Sequence, residues 1–241
     1  MIRILILVFV LVNVVFSQFS IDAESGVAGT TYNDIRIPGD TGTSFSLTDD
    51  LKDESFIFFR GRLNYTFAKK HTLSLLYAPL KIESHGTLND SIIYRDEVFI
   101  AGEPIESVYQ FNSYRLTYRY MWIQKDKFDF GIGFTAKIRD AYIKLENDDT
   151  KAGKENIGFV PIINFWFDYR FNDRLSFLIE GDALAAPQGR AEDVLTALTY
   201  NISEKYKFKA GYRILEGGAD NDEVYTFSLI NYFVMGFIAE F

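Results

Sequence analysis

The sequence predicts an all-β fold, a closed antiparallel transmembrane β-barrel of about ten strands. Three observations carry this. Apolar and polar residues alternate with period two in run after run. The breaks between runs are alternately short and long. Past the amino terminus, no stretch is apolar enough to make a spanning helix of about 20 residues.

At the amino terminus Met1-Ile2-Arg3 precedes an apolar run from Ile4 to Val12, and the small residue Ser17 follows Val15 and Phe16. A basic start, a short apolar core and a small residue at the cut site predict a secretory signal peptide over residues 1–17. The mature chain, 18–241, is then a single domain beginning at Gln18. An exported chain without an apolar helix either is soluble or spans as a barrel.

Composition separates these two cases. Aromatic residues make up 17% of the chain, with 23 Phe and 15 Tyr, while the net charge is -8. A barrel accommodates both, because apolar side chains face lipid and charged ones face the lumen and loops. The acidic balance argues against a nucleic-acid partner, which requires clustered Lys and Arg. The chain has no cysteine, so disulfides and thiolate metal sites are excluded, and nothing in the sequence calls for a cofactor.

The short breaks are Ala68–His71, Gln124–Lys127, Asn172–Arg174 and Ser203–Lys205, all polar and placed as tight hairpin turns. The longer breaks are Thr31–Asp53, Ser84–Ile105, Glu146–Glu155, Pro187–Glu192 and Glu216–Asp222. Eight strands result if the weakest runs are discounted, and twelve if Ser91–Ile100 adds a hairpin in the membrane. That segment is assigned here to an extension beyond the membrane.

Parity within the runs assigns faces. In Ile57–Phe67 the odd positions are mostly apolar and face out, while Arg60 and Arg62 face in. Val108–Trp122 sends Tyr114, Leu116, Tyr118, Tyr120 and Trp122 outward, and Arg115 and Arg119 inward. Phe128–Ile138 places Asp129, Lys137 and Arg139 inside. Phe159–Phe171 places Asp168 and Arg170 inside, with Pro161 tolerable near a rim or bulge. Leu175–Ala185 adds Glu180 and Asp182, Tyr206–Ile214 adds Lys209 and Arg213, and the first run adds Asp22 and Glu24.

The last run, Asp222–Phe241, is a closing strand with one apolar face and aromatic residues at both ends. Its terminal Phe241 and the alternation before it resemble the carboxy-terminal signal of bacterial outer-membrane β-barrels. The run from Glu180 to Asp193, with Gly211-Tyr212-Arg213 and Glu216-Gly217-Gly218, resembles hypothetical members of that group. The resemblance implies the outer membrane of a Gram-negative bacterium, short periplasmic turns and longer extracellular loops. Its implied partners are outer-membrane lipid and lipopolysaccharide, with the barrel-assembly machinery acting during insertion.

The inward charges have two readings. With more basic than acidic side chains pointing in, they could line a narrow path for a small anion. Alternatively they pair across the lumen and fill it, as expected at about ten strands, a bore much nearer the side-chain-filled size than that of a 16-stranded porin. Glu180, Asp182, Arg190, Asp193 and Arg213 form a neighbouring inward set near the outer mouth.

His85, near Glu83 and Asp90, is the weak candidate for acid-base chemistry. A site there would resemble outer-rim barrel enzymes such as lipid A deacylases and omptin-type proteases. The sequence lacks a His-x-Ser element, and no paired-aspartate motif can be placed with His85, so a solvated loop histidine is the simpler reading. His71 is read as a solvated turn residue. The acidic run Glu216–Glu223 offers Glu216, Asp220 and Asp222 as possible oxygen ligands for a divalent ion, without the spacing of a calcium loop. The functional expectation is membrane integrity or restricted, porin-like passage of small solutes. An outer-rim enzyme and a soluble lipid-binding barrel are the alternatives.

Overall fold

The computed structural model describes residues 18–187 and 189–241, so the expected signal peptide lies outside the described residues. The wall consists of ten strands: β1 Gln18–Arg36, β2 Phe56–Phe67, β3 in two segments His71–Ala78 and Lys81–Thr87, β4 Pro104–Gln124, β5 Phe128–Glu146, β6 Lys151–Arg170, β7 Leu175–Ala186, β8 Gly189–Asn201, β9 Tyr206–Asp220 and β10 Tyr225–Glu240. Neighbours are antiparallel throughout. The closing pair, β1 with β10, runs from Ser20↔Glu240 to Arg36↔Tyr225. A closed sheet satisfies its backbone groups internally, the condition for strands in hydrocarbon.

Lipid and lumen impose the alternation. Ile57, Phe134 and Phe159 are 83%, 70% and 67% exposed on the outer face, whereas the intervening Arg60, Thr135 and Lys137 are buried. In β1 the phase changes at a bulge between Thr30 and Tyr32: Asp22, Glu24 and Ala28 point in below it, Asn33 and Ile35 above it. The bulge turns Tyr32 to the outer face.

All four short turns occur where the sequence places them. The tightest is the three-residue connection 68–70 between the paired Phe67 and His71, with Ala68 and Lys69 both at positive φ, 49° and 60°. His71 is corrected by the structure. It opens β3 within the outer aromatic girdle, stacks on Phe67 at 5.1 Å and hydrogen-bonds the Tyr118 hydroxyl at 2.8 Å.

Three of the five long breaks are not long loops. Residues 147–150 form a turn in which the Asn147 side chain accepts from the Asp149 and Thr150 amides, and Asn221 accepts likewise from Glu223 and Val224. The β7–β8 hairpin also closes tightly, with Ala186 opposite Gly189. The strands flanking these turns continue past the greasy band, where lipid no longer enforces an apolar face, and their polar composition reads as loop.

The two long loops, 37–55 and 88–103, fold over the mouth. The second carries a hairpin, Ile92–Tyr94 with Glu97–Phe99, separate from the wall sheet, as the assignment of Ser91–Ile100 requires. Tyr94 and Phe99 are fully buried, and the Tyr94 hydroxyl donates to the Ile143 carbonyl at 2.9 Å. The amides of Thr43 and Arg95 bond Ile93 and Ile37, tying the two loops together. Gly39 bonds Asp222 on the far side, so this lid reaches from the β5 edge to the β9–β10 turn. Its Ile37, Phe45, Leu47 and Leu51 belong to one buried apolar cluster with the lumen-facing Leu195, Ile230 and Val234.

Candidate functional site: charges across the lumen

Burying a charge is costly unless it is paired and hydrogen-bonded. Midway along the lumen, five cations and five carboxylates meet this condition together: Arg60, Arg62, Arg115, Lys209 and Arg213 with Asp22, Glu24, Glu180, Asp182 and Asp193. They come from β1, β2, β4, β7, β8 and β9, so the contacts cross the bore rather than follow one strand pair.

Asp193 is one hub. It accepts from Arg60 at 2.8 Å, Arg115 at 2.6 Å and Arg213 at 2.6 Å. Glu24 is the other, with Lys209 at 2.6 Å, Arg213 at 2.8 Å and Arg60 at 3.4 Å. Arg62 bonds Glu180 at 2.8 Å, and Asp182 receives Arg115 at 2.7 Å, the Thr135 hydroxyl at 2.6 Å and the Asn164 amide at 2.9 Å. Equal numbers of opposite charges make the set electrically neutral.

The carboxylates Asp22, Glu24 and Glu180 bring oxygens within 4.8 Å of one another, a spacing suited to a metal ion. The Lys209 ammonium already serves there, 2.7, 2.6 and 3.7 Å from the three. The loop residues expected as alternative ligands, Glu216, Asp220 and Asp222, are not brought together among the described residues. Glu216 points outward, accepting from Arg190 at 2.6 Å and from Tyr32 at 2.5 Å. Arg190, grouped by sequence with the inward set, is therefore on the outer face, where it also covers Phe227 at 4.8 Å.

Several inward residues stand apart from this network. Arg170 pairs with Asp129 at 2.8 Å and Asp168 at 3.6 Å, and holds the Asp126 carbonyl at 3.0 Å beside a short turn. Arg119 lies over the Trp166 ring at 5.2 Å. Lys137 covers Phe111, and Arg139 hydrogen-bonds Asn156. His85 is exposed on β3 opposite Glu106 and Lys52, with no side-chain hydrogen bond among the described residues. Neighbouring Glu83 is engaged instead by Lys81 at 2.5 Å.

No family model matches the chain, and no curated protein matches its sequence. Solved structures do resemble it. The outer-membrane protease OmpT of Escherichia coli has a TM-score of 0.56 at 9% identity, over 93% of this chain and 97% of that one. The fold is that of a bacterial outer-membrane β-barrel. The attachment invasion locus protein Ail of Yersinia pestis scores 0.40 at 10% identity over 94% and 99% of the two chains, and OprG of Pseudomonas aeruginosa 0.35 at 14% over 94% and 96%. At these identities the likeness concerns the fold alone.

The sequence groups Asp193 with the inward Glu180, Asp182 and Arg213, but its joining of Arg60, Arg115 and Arg213 cannot be read there. Asp193 follows directly on a segment whose composition reads as a loop, and its only signal is parity with Leu195, Ala197 and Thr199 along β8.

Proposed function

We propose that this protein is an outer-membrane barrel with a closed lumen, serving membrane integrity and presenting its two long loops at the cell surface. The supporting observation is the neutral ten-residue ion-pair network across the bore. An ion entering that bore must separate pairs that are already desolvated, without water to replace their contacts. The lid of loops 37–55 and 88–103 stands above the network as a second obstruction. Outer-membrane lipid and lipopolysaccharide are the partners of the outer surface, where Arg190, Tyr32 and Glu216 lie at the long-loop end. Insertion is assigned to the barrel-assembly machinery, with the periplasm on the short-turn side.

Planar-bilayer recording tests this reading. The purified protein is expected to give no steady unitary conductance in symmetric salt. Stable, long-lived channels would overturn it and favour a charge-lined path for small anions.

A further inference from the structure

On the long-loop side of the ion-pair network lies a chamber of about 360 Å³, within the size range of small-molecule sites. Its residues Leu184, Ala191 and Leu215 each stand two positions toward the long-loop edge from Asp182, Asp193 and Arg213, so the network is its floor. The lining is largely apolar. Two inward cations, Lys137 and Arg139, open onto it.

Neither cation has a carboxylate partner among the described residues. Lys137 is 3% exposed and meets the face of Phe111 at 4.7 Å, while Arg139 bonds the neutral side chain of Asn156. All five cations of the floor, by contrast, are matched. The other charged residues at its border, Arg190 and Glu216, neutralise each other as a pair on the outer face, so the chamber keeps two unmatched positive charges in a mainly apolar lining, the complement of an anionic head on an alkyl chain.

The wall provides a way in. Pairing of β6 with β7 runs from Arg170↔Ser176 only to Ile163↔Ala183, and the β7–β8 hairpin ends at Ala186 and Gly189 while β6 continues to Lys151. This leaves a notch above the hairpin. Phe159 on the outer face and Val160 on the inner face of β6 both border the chamber, so the cavity passes through the wall there. Pro161 lies in the unpaired stretch and has no N–H to leave unsatisfied. Lys154 and Glu223, 3.6 Å apart, bridge the upper end of the gap.

We propose that the chamber binds a single-chain anionic amphiphile of the fatty-acid type, admitted sideways through this notch. The head meets Lys137 and Arg139, and the chain lies against Phe111, Leu184, Leu215 and Ile230. The volume holds roughly a dozen groups of ~30 Å³ each, which suits a medium-length chain and not a diacyl lipid. The sideways route rests on the reading of the lumen as closed. The chamber does not.

The test is calorimetric titration of the full-length protein in non-ionic detergent with decanoate and with decanol. Saturable binding of one decanoate per chain is expected, at least about tenfold tighter than decanol, since hydrogen bonds to charged groups are the difference. Lys137→Met with Arg139→Gln should abolish that preference. Val160→Trp should slow decanoate association about tenfold in lipid nanodiscs. Mass spectrometry of protein taken from membranes should release free fatty acid. Release of a diacyl lipid would overturn the single-chain assignment, and an unaltered association rate in Val160→Trp would overturn the notch route. No saturable decanoate binding by the unsubstituted protein, or equal affinity for decanol, would overturn the site whatever the variants do. Bilayer conductance without added amphiphile judges the closed-lumen reading separately.

Discussion

Asp193→Asn removes one negative charge from the centre of the barrel with little change in shape. Three guanidinium groups, those of Arg60, Arg115 and Arg213, lie within 2.8 Å of this carboxylate. Each keeps a second partner: Glu24 for Arg60 and Arg213, and Asp182 for Arg115. Breaking a buried ion pair from one side typically costs about 3–5 kcal/mol, and the surviving partners put the expected loss near the lower end, about 3 kcal/mol. That corresponds to a fall of roughly a hundredfold in the folding equilibrium. Urea unfolding in lipid vesicles, followed by tryptophan fluorescence and heat-modifiable gel mobility, would measure it. The double variant Asp193→Asn with Arg115→Met should recover part of the loss, because the charge balance returns. Glu83→Gln, which removes an exposed pair with Lys81, should leave the midpoint unchanged. A loss below about 1 kcal/mol for Asp193→Asn would mean that the lumen is solvated like a surface, and would refute the reasoning.

Phe134→Arg and Val98→Arg compare residues that are 70% and 55% exposed; the first, on the lipid face of β5, should cost about 2–4 kcal/mol in vesicles, and the second, on the loop hairpin, should be nearly neutral. Equal effects in the same unfolding assay would contradict a hydrocarbon-facing wall. Gly26 lies at φ 150° in the β1–β10 seam, where an added Cβ would fall 2.0 Å from the Phe233 carbonyl oxygen. Gly26→Ala should therefore destabilise closure by about 1–3 kcal/mol, seen as a lower unfolding midpoint; an unchanged midpoint would show that the seam relaxes freely.

Much of the wall was legible because lipid on one side and a polar bore on the other force period-two alternation. Arg60 and Arg62, Glu180 and Asp182, and Lys209 and Arg213 could each be assigned inward from their own run. Which charges meet could not be read this way, since partners such as Arg60 and Asp193 lie 133 residues apart and their contact depends on strand stagger around the bore. Strand height was also hidden. Above the greasy band the outward positions of β5 and β9 turn polar, as at Lys144, Glu146, Glu216 and Asp220, and β6 is polar on both faces, so Glu146–Glu155 and Glu216–Asp222 read as loops although most of each is strand. The bulge at Thr30/Tyr32 and the lid core around Tyr94 lack a periodic signature, and Lys137 and Arg139 look in sequence like any other inward cations.

The central claim is that hydrocarbon touches one face of each strand while a packed, paired interior lies behind it. Because the chain has no cysteine, single nitroxide labels at consecutive positions from 132 to 138 of β5 in lipid bilayers can test this directly. Collision with oxygen should peak at positions 132, 134, 136 and 138, and a water-soluble nickel chelate should be excluded from those sites. Chelate access at Phe134 equal to that at Val98, with no period-two oscillation along β5, would contradict the account.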